Sequence, residues 1–492
     1  MSILITVVIL GPLIGAALGL LVRKNENLQN FITVTTLGAA SASSLAMLFL
    51  VADDGTFVLR IGEWSPELGI VLVADLFAVL VLPVALTIIF VVELFAIGQR
   101  RTAWGANREF SGPLISVLTF GVALAFLTGD LFTLFVAFEL ILVSSYVLLT
   151  HQGRGEQVRT AITYVVMNLF ASTLFLIGVA FVYSATGTVN MALLAERIPE
   201  LSNGVRLGIG AWFFVVFGTK AAVFPLFSWL PDSYPTAPTT ITAVFAGLLT
   251  KIGVYSMIRF HTLTGMDDLG AIMLIIAGAT IIIGAIGALS QTEVKRILSF
   301  HIISQIGYMV MGLGLFSVAG TAGAILFLVH HMPVKTVLFL VGGLIENDQG
   351  TAKLKSLGNL AATKPILAAL FAIPALSLSG LPPFSGFIAK FAVVSAGVEA
   401  ASTPIVIAAL IGGVLTLMSM TKIWLGVFWG TAPTEEIERQ GPGNRKIMIG
   451  ATGIAVAGTL VISLFAGWLY GLSEEAAIDL RSVSAYVEEV VS

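Results

Sequence analysis

The sequence predicts an all-α protein that crosses a membrane many times, and two observations predict it. Hydrophobic residues make up 57% of the 492 residues and charged residues only 11%, whereas soluble domains carry roughly 25% charged residues. Long apolar stretches recur from one end of the chain to the other, and each is about 20 residues long, the length of a helix that crosses a bilayer. We therefore expect about fourteen transmembrane helices.

The predicted spans follow one another with short polar connections. The first has no basic residue before it and no small-residue cleavage site, so we interpret it as a retained helix and not as a signal peptide. The last twenty residues, from Ser473, are predicted to form an acidic amphipathic tail. The predicted spans are 2–22, 31–51, 74–97, 111–128, 130–150, 160–185, 206–230, 236–262, 269–290, 299–316, 320–344, 365–397, 402–430 and 446–471.

The charges of the loops predict how the spans are oriented. Loops on the cytoplasmic side of membrane proteins are enriched in Lys and Arg. With both termini outside, fifteen of the 25 Lys and Arg residues fall in inner loops and five on the outer side. The outer five are Arg60, Arg197, Arg206, Arg259 and Arg481. We therefore expect both termini to lie outside the cell.

The composition also argues against several classes of site. The chain has no cysteine, so disulfides, iron–sulfur clusters and thiolate metal sites are excluded. The net charge of −3 does not suggest nucleic-acid binding. No nucleotide-binding loop, metal-ligand cluster or nucleophile elbow is present. We expect no cofactor, no bound metal and no enzymatic activity.

Five basic residues lie inside predicted spans, and all five are lysines: Lys220, Lys251, Lys335, Lys390 and Lys422. A charge in the middle of a bilayer costs at least ~2.5–3.5 kcal/mol, so such residues are usually functional. A buried lysine can lose its proton, whereas an arginine keeps its charge almost anywhere. The choice of lysine indicates a pathway that is loaded with protons and releases them.

Few other ionisable residues accompany these lysines inside the spans. Glu139 lies near the middle of span 5. His331 and Lys335 are four residues apart on span 11 and share one helix face. Histidine changes charge near neutral pH. Glu139 and His331 are therefore candidate partners of the lysines.

Other ionisable residues have a simpler interpretation. Lys422 lies near the end of span 13 beside Trp424, where a lysine side chain usually extends to the membrane interface. His261 and His301 lie near predicted interfaces, where we expect them to be solvated. Glu93 lies toward the end of span 3, and this position is equally compatible with a functional and with a structural role.

Two spans combine a buried lysine with a helix break. Span 7 contains Lys220 and Pro225 in FGTKAAVFPLFSWLP, and span 12 contains SGLPPF before Lys390. The two spans are five apart and so run in opposite directions, which is the pattern of an inverted-repeat transporter. We infer two inverted five-helix repeats, spans 4–8 and 9–13. The predicted units are a three-helix segment (1–110), the two repeats (111–262 and 269–430) and a last span with the tail (446–492).

Several motifs resemble the antiporter-like subunits of respiratory complex I and of Mrp multisubunit cation/proton antiporters. The similarity covers roughly residues 75–430, and the motifs are closer to the Mrp group than to the complex I group. The motifs are TGDLFTLFVAFELILVSSYVLLTHQG (128–153), GTKAAVFPLFSWLPDSYPTAPTTITAVFAGLLTKIGVYSMIR (218–259), KRILSFHIISQIGYMVMG (295–312), HMPVKTVLFLVGG (331–343) and SGLPPFSGFIAKF (379–391).

The resemblance implies a role for each charged residue in these motifs. Glu139 and Lys220 match a glutamate and a lysine that form an ion pair in that family. In that family the proton path continues through residues that correspond here to Lys251, His331, Lys335 and Lys390. Phe227 and Phe245 stand where the complex I subunits often have histidines, so a proton route through those two positions is not expected here.

The resemblance implies a secondary transporter subunit in a bacterial plasma membrane, without a redox cofactor. Its expected partners are the other subunits of a hetero-oligomeric Mrp complex, protons and monovalent cations such as Na⁺, and the lipid bilayer. A proton-pumping subunit of a complex I-like or membrane-bound hydrogenase complex is the main alternative. A structural subunit with a vestigial channel is a third possibility, against which the complete set of lysines argues.

Overall fold

A computed structural model of the chain describes residues 1–67, 69–103, 109–150, 155–431 and 443–491, without the side chains of residues 63, 100–103 and 156. Some of the loop charges counted above, namely Arg108, Arg154 and Arg439, lie outside the described residues. The same holds for the side chains of Arg100 and Arg101.

The described part of the chain is a bundle of apolar helices. In a bilayer every backbone polar group must be satisfied within the protein, and apolar residues in a helix meet that requirement. Among the described residues, eleven helices are long and apolar enough to span a membrane, and two shorter apolar helices accompany them. The prediction of an all-α protein that crosses the membrane many times is thus confirmed, while the number fourteen stays a prediction.

The first half of the described chain contains eleven helical segments and a small hairpin. The segments are α1 (Ser2–Leu21), α2 (Glu26–Asp54), α3 (Leu76–Ala103), α4 (Ser111–Leu127), α5 (Leu131–Thr150), α6 (Gly155–Thr186), α7 (Met191–Arg197), α8 (Asn203–Ala221), α9 (Trp229–Ser233), α10 (Thr239–Val244) and α11 (Thr250–Leu263). A π-helical segment, Phe245–Leu249, joins α10 to α11 into one continuous helix.

The second half continues in the same manner. The segments are α12 (Gly270–Ser290), α13 (Val294–Gly314), α14 (Val318–Gln349), α15 (Leu360–Thr363), α16 (Pro365–Ser379), α17 (Ser385–Glu399), α18 (Thr403–Trp424), α19 (Arg445–Leu464), α20 (Ala466–Arg481) and α21 (Val483–Val491). A second π-helical segment, Leu425–Trp429, extends α18.

A two-stranded hairpin between α2 and α3 was not predicted from the sequence. Strand β1 (Phe57–Arg60) pairs antiparallel with β2 (Val71–Ala74). Arg60 also donates a hydrogen bond to the carbonyl of Val490 in α21. The end of the bundle that carries this hairpin and the carboxyl-terminal helices is called the terminal face below.

The centre of the bundle is formed by the helix 239–263, α13 and α14. These helices are almost completely enclosed by the rest of the protein, whereas fewer than half of the residues in the most apolar stretches of α1, α6, α12, α18 and α19 are buried. Polar side chains on the central helices are therefore remote from both lipid and solvent.

Both helices that were predicted to be broken are broken. The first ends as α8 and resumes as α9, and the second ends as α16 and resumes as α17. Each first half ends on a residue with left-handed backbone angles, Ala222 or Gly380. In each case the next amide donates to the carbonyl five residues earlier, which is the hydrogen bond of a Schellman motif. These bonds join Val223 to Gly218 (2.9 Å) and Leu381 to Leu376 (3.2 Å).

The last predicted span ends earlier than expected. The sequence predicted a span over 446–471, but α19 ends at Leu464 and α20 begins at Ala466. The amphipathic tail therefore begins with α20, which buries Leu472 and Leu480 and exposes Glu474. Helix α20 packs on α14, α3 and α11, so the tail covers the terminal face.

Candidate functional site

Lys220 lies in the last turn of α8, immediately before the first helix break, and is 5% exposed. Its Nζ donates hydrogen bonds to the backbone carbonyl of Asn168 (3.1 Å) and to Oγ of Ser172 (2.9 Å), both on α6. The ammonium also lies 5.4 Å from the centre of the Phe138 ring. Every one of these contacts is to a neutral group.

Glu139 is the acidic residue near Lys220, and the two interact electrostatically. Within the described residues, however, no ion pair of 4.0 Å or less joins them. Oε1 of Glu139 is enclosed and has no hydrogen-bond partner. The contact ion pair implied by the resemblance is therefore absent in this state, because the Lys220 ammonium is turned toward acceptors on α6 instead.

A small cavity lies beside Lys220. Its volume is about 20 Å³, which is enough for about one water molecule. On the central helix it reaches Leu249 and Ile252, which are close to Lys251 in the sequence. The cavity is lined by Phe138, Ile141, Leu142, Tyr164, Asn168, Lys220, Trp229, Leu249 and Ile252. A single water there would lie beside Lys220.

Lys251 lies at the middle of the helix 239–263 and is completely buried. Its ammonium donates to the carbonyl of Ala246, which belongs to the π-helical segment. A π-helical turn shifts the backbone hydrogen bonds and is frequent at functional sites. The local irregularity thus provides an acceptor for the amine at the centre of the protein.

His331 and Lys335 lie on one face of α14, as predicted, and both are completely buried. The Lys335 ammonium donates to the carbonyl of Leu298 on α13 (3.0 Å). Both ring nitrogens of His331 are buried, and neither has a hydrogen-bond partner in the part of the chain that the structure describes. His331 interacts electrostatically with Lys251 and Lys335, so the central lysines and this imidazole form one group.

Lys390 lies on α17, just after the second helix break, and is 9% exposed. Its ammonium donates to the carbonyl of Leu378 (2.9 Å) in the last turn of α16, and lies 5.3 Å from the centre of the Tyr308 ring. The break exposes the last carbonyls of α16, which carry partial negative charge. A Cβ atom at Gly380 would come within 2.8 Å of the Lys390 side chain. The break and the lysine are therefore fitted to one another.

The structure brings the predicted residues together in two groups. Glu139 interacts with Lys220, and Lys335 interacts with both Lys251 and Lys390. The cavity described above adjoins Lys220 in the first group. All four amines are bonded to neutral oxygen atoms and none to a carboxylate within the described residues. Such an arrangement can pass a proton between amines, because no partner fixes the charged form.

Basic residues near the ends of the bundle have different partners. Arg259 on α11 forms an ion pair with Asp75, and both are almost completely buried. Lys295 at the start of α13 forms an ion pair with Glu346 on α14. Arg259 was predicted to be one of the outer charges, and its partner was not predicted. These pairs lie at opposite ends of the bundle, because α11 and α13 are separated by one complete helix.

The expectation that His261 and His301 are solvated is wrong, since both are completely buried. The Nδ1 and Nε2 atoms of His261 lie 2.9 Å and 3.0 Å from the carbonyls of Met257 and Gly210, which gives it a structural role. Nε2 of His301 is bonded to Oγ of Ser419, while its Nδ1 has no partner.

His301 and His330 belong to the central group, although the sequence analysis did not select them. His301 interacts electrostatically with Lys335 and Lys390, and His330 with Lys390. In the sequence, His330 is directly adjacent to His331, which is the signal that could have identified it.

Lys422 has a structural position, in line with its simpler interpretation. Its ammonium donates to the carbonyls of Leu289 (2.7 Å) and Gln291 (2.6 Å) at the end of α12. It therefore caps the last carbonyls of a helix.

Comparisons with known proteins give a consistent result. A family model described as "NADH:quinone oxidoreductase/Mrp antiporter, TM" matches residues 128–416. The D component of the Na(+)/H(+) antiporter of Alkalihalophilus pseudofirmus is 42% identical, with 100% of each chain covered. A chain in the structure of the Mrp complex from Dietzia sp. DQ12-45-1b matches with a TM-score of 0.91, 31% identity and complete coverage of both chains. A chain of a membrane-bound sulfane sulfur reductase, an archaeal respiratory membrane complex, matches with a TM-score of 0.89 and 26% identity over 99% of each chain.

Proposed function

Because the chain belongs to the NADH:quinone oxidoreductase/Mrp antiporter family, we propose that it is the D component of a multisubunit Na⁺/H⁺ antiporter. Within that complex it translocates protons, and the cation exchanged for them is Na⁺ or another monovalent ion. The chain is a transporter subunit and not an enzyme, and it acts together with the other subunits of the complex. The length and the motifs TGDLF, SSYVLL and LLTKIG favour the D component over the others.

The observation that carries this proposal is the bonding of the buried amines. Lys220, Lys251, Lys335 and Lys390 bind backbone carbonyls or a hydroxyl, and burial penalises the charged form of each. A carboxylate partner would compensate that penalty and keep the amine charged. With neutral partners the charged and neutral forms of each amine approach one another in free energy, as a proton relay requires.

The proposed relay runs through Glu139, Lys220, Lys251, His331 with Lys335, and Lys390. Like charges repel, so a proton arriving at one lysine favours release from the next. The approach of Glu139 to Lys220 would hold the proton there, and their separation would release it. The hydrogen bonds of the Lys220 ammonium to α6 in place of Glu139 are compatible with the releasing arrangement. Water in the cavity beside Lys220 would accept or deliver the proton at this first step.

The two inverted repeats are part of the same proposal. The identical hydrogen-bond pattern at the two helix breaks supports a repeat of residues 111–262 in 269–430. We place both termini outside the cell, in a bacterial plasma membrane. The excess of Lys and Arg in the predicted inner loops supports that orientation.

A redox-driven proton pump is the second candidate, because a chain of a respiratory membrane complex shares the fold. Phe227 and Phe245 weigh against it. The Phe245 ring stacks on Tyr164 with ring centres 6.1 Å apart, so this position is part of an aromatic cluster and carries no proton. Identifying the subunits that co-purify with the chain in mild detergent decides between the two candidates: dehydrogenase or hydrogenase subunits would support the pump.

The test of the proposal is cation-driven proton flux in everted vesicles that contain the assembled complex. Lys220→Ala and Glu139→Ala should each abolish the flux while assembly is retained. Lys422→Ala serves as the matched control, because Lys422 is also an intramembrane lysine but caps a helix. Normal flux in an assembled Lys220→Ala complex would exclude the relay.

A further inference from the structure

Three polar residues follow one another at steps of four along α11. They are Lys251, Tyr255 and Arg259, and residues four apart share one helix face. Lys251 belongs to the relay, and Arg259 lies close to the terminal face. This row therefore leads from the middle of the bundle toward one of its ends. Tyr255 and Arg259 take part in none of the steps described so far.

Hydrogen bonds connect the outer part of this row. The Tyr255 hydroxyl donates to the carbonyl of Phe126 (2.7 Å) and accepts a hydrogen bond from Nη2 of Arg259 (2.6 Å). The Arg259 guanidinium binds both carboxylate oxygens of Asp75, at 2.7 Å for Nη2 to Oδ1. Asp75 also caps α3 by accepting from the amide of Ala78 (2.9 Å). The row is thus closed at its outer end by a buried ion pair.

The carboxyl-terminal helices cover this ion pair. The guanidinium of Arg259 lies 5.9 Å from the centre of the Tyr486 ring on α21. Asp479 on α20 interacts electrostatically with Asp75, and also with Glu475 and Glu489. A group of carboxylates therefore lies between Asp75 and the surface, where protons can be exchanged with solvent.

One atom shows that the pair is incompletely satisfied. Nε of Arg259 is buried and has no hydrogen-bond partner within the described residues. A buried donor without a partner costs free energy. This cost weakens the closed arrangement of the pair.

We propose that Asp75, Tyr255 and Arg259 form a gate between Lys251 and the terminal face. This inference rests on the proposed function. While the ion pair is formed, Arg259 is bound to Asp75, and the carboxylate cannot accept a proton from the row. When Arg259 moves away and the Lys251 ammonium turns from the carbonyl of Ala246 toward Tyr255, Lys251 loses its proton through the Tyr255 hydroxyl, which gives up one proton as it accepts another. Asp75 takes that proton and later releases it to solvent. Arg259 keeps its charge throughout and acts as a positioning residue.

The test uses the assembled complex in proteoliposomes, with the pH varied on one face at a time. Tyr255→Phe removes only the hydroxyl and should lower the cation-driven flux at least about ten-fold. Asp75→Asn should shift the pH dependence of the flux by about one pH unit or more, and only when the pH is varied at the terminal face. Asp268→Asn is the control, because it breaks an exposed ion pair with Arg206 at the same face.

A purely structural pair would give a different pattern. If the pair were purely structural, Tyr255→Phe would transport at the wild-type rate, or the flux would fall equally whether the pH is changed at one face or at the other. Either result overturns the gate. If Asp75→Asn does not assemble, the flux of Tyr255→Phe alone decides. The proposed function is tested separately: if Lys220→Ala abolishes the flux and Tyr255→Phe does not alter it, only the gate is wrong.

Discussion

The basic residues in the middle of the bundle and those at its ends have different partners. In the middle, four lysines bind neutral oxygens: those of Asn168 and Ser172, Ala246, Leu298 and Leu378. At the ends, Arg259 binds Asp75 and Lys295 binds Glu346. A carboxylate stabilises the charged form of its partner, whereas a carbonyl leaves the burial penalty largely uncompensated. The comparison indicates that the basic residues at the ends keep their charge, whereas the lysines in the middle change theirs.

Breaking an end pair should have the largest effect on stability. Arg259→Met leaves Asp75 buried without its partner, and we expect a loss of about 3–5 kcal/mol. Arg206→Met is the control, because its pair with Asp268 is partly exposed and should contribute only about 0–1 kcal/mol. Thermal unfolding of the purified complex measures both. Equal effects of the two substitutions would remove the distinction between buried and exposed pairs.

Adding a side chain at the second helix break is expected to have the next largest effect on stability. Gly380 has a φ of 81°, and an added Cβ would lie 2.8 Å from the Lys390 side chain. Gly380→Ala should therefore cost about 1–2 kcal/mol in backbone strain, displace Lys390 and lower the proton flux. Gly450→Ala provides the control, since nothing lies within 4 Å of a Cβ atom there. An active and fully stable Gly380→Ala complex would show that the fit between break and lysine is unimportant.

Removing a central lysine should affect transport far more than stability. Lys335→Met deletes an ammonium whose acceptor is the carbonyl of Leu298, so no buried charge loses its partner. We expect a change in unfolding free energy within about 1 kcal/mol, together with loss of cation-driven flux. A loss of stability as large as that of Arg259→Met would mean that the central amines are structural charges after all.

The smallest expected effect is on the pH dependence of stability. It comes from Glu293, at the end of the bundle opposite the terminal face. Burial, followed by the proximity of Glu346, raises the pKa of Glu293 above its usual range. The folded protein therefore binds this proton more tightly than the unfolded chain, and the resulting stability is present at low pH and lost as the pH rises through the raised pKa. Glu293→Gln should make the melting temperature slightly less dependent on pH between about 4 and 7, which is the range in which carboxylates titrate. An unchanged pH profile would contradict this.

The sequence predicted the membrane spans, both helix breaks and the buried lysines, because each rests on local composition. Lys220 and Lys390 are recognisable as charges inside apolar runs next to Gly or Pro. His301 was missed because span 10 was predicted to begin at 299, whereas α13 begins at Val294 and carries His301 deeper. The burial of His261 depends on the carbonyl of Gly210 on another helix, and such packing is invisible in sequence.

The partners of the lysines could not be predicted either. The choice between Glu139 and the α6 oxygens for Lys220 depends on side-chain geometry of a few ångströms. In the same way, neither the pairing of Arg259 with Asp75 nor the capping role of Lys422 follows from spacing along the chain. Tertiary contacts between distant helices decide all three.

The most direct measurement compares two substitutions of lysine by arginine in the assembled complex. Arginine keeps its positive charge where lysine can lose it. Lys220→Arg should therefore abolish cation-driven proton flux, and the cavity beside this side chain gives the larger group some room. Lys295→Arg, at an end pair with Glu346, should transport at nearly the wild-type rate. Wild-type flux in an assembled Lys220→Arg complex would contradict the account, because it would show that the central amine need not lose its proton.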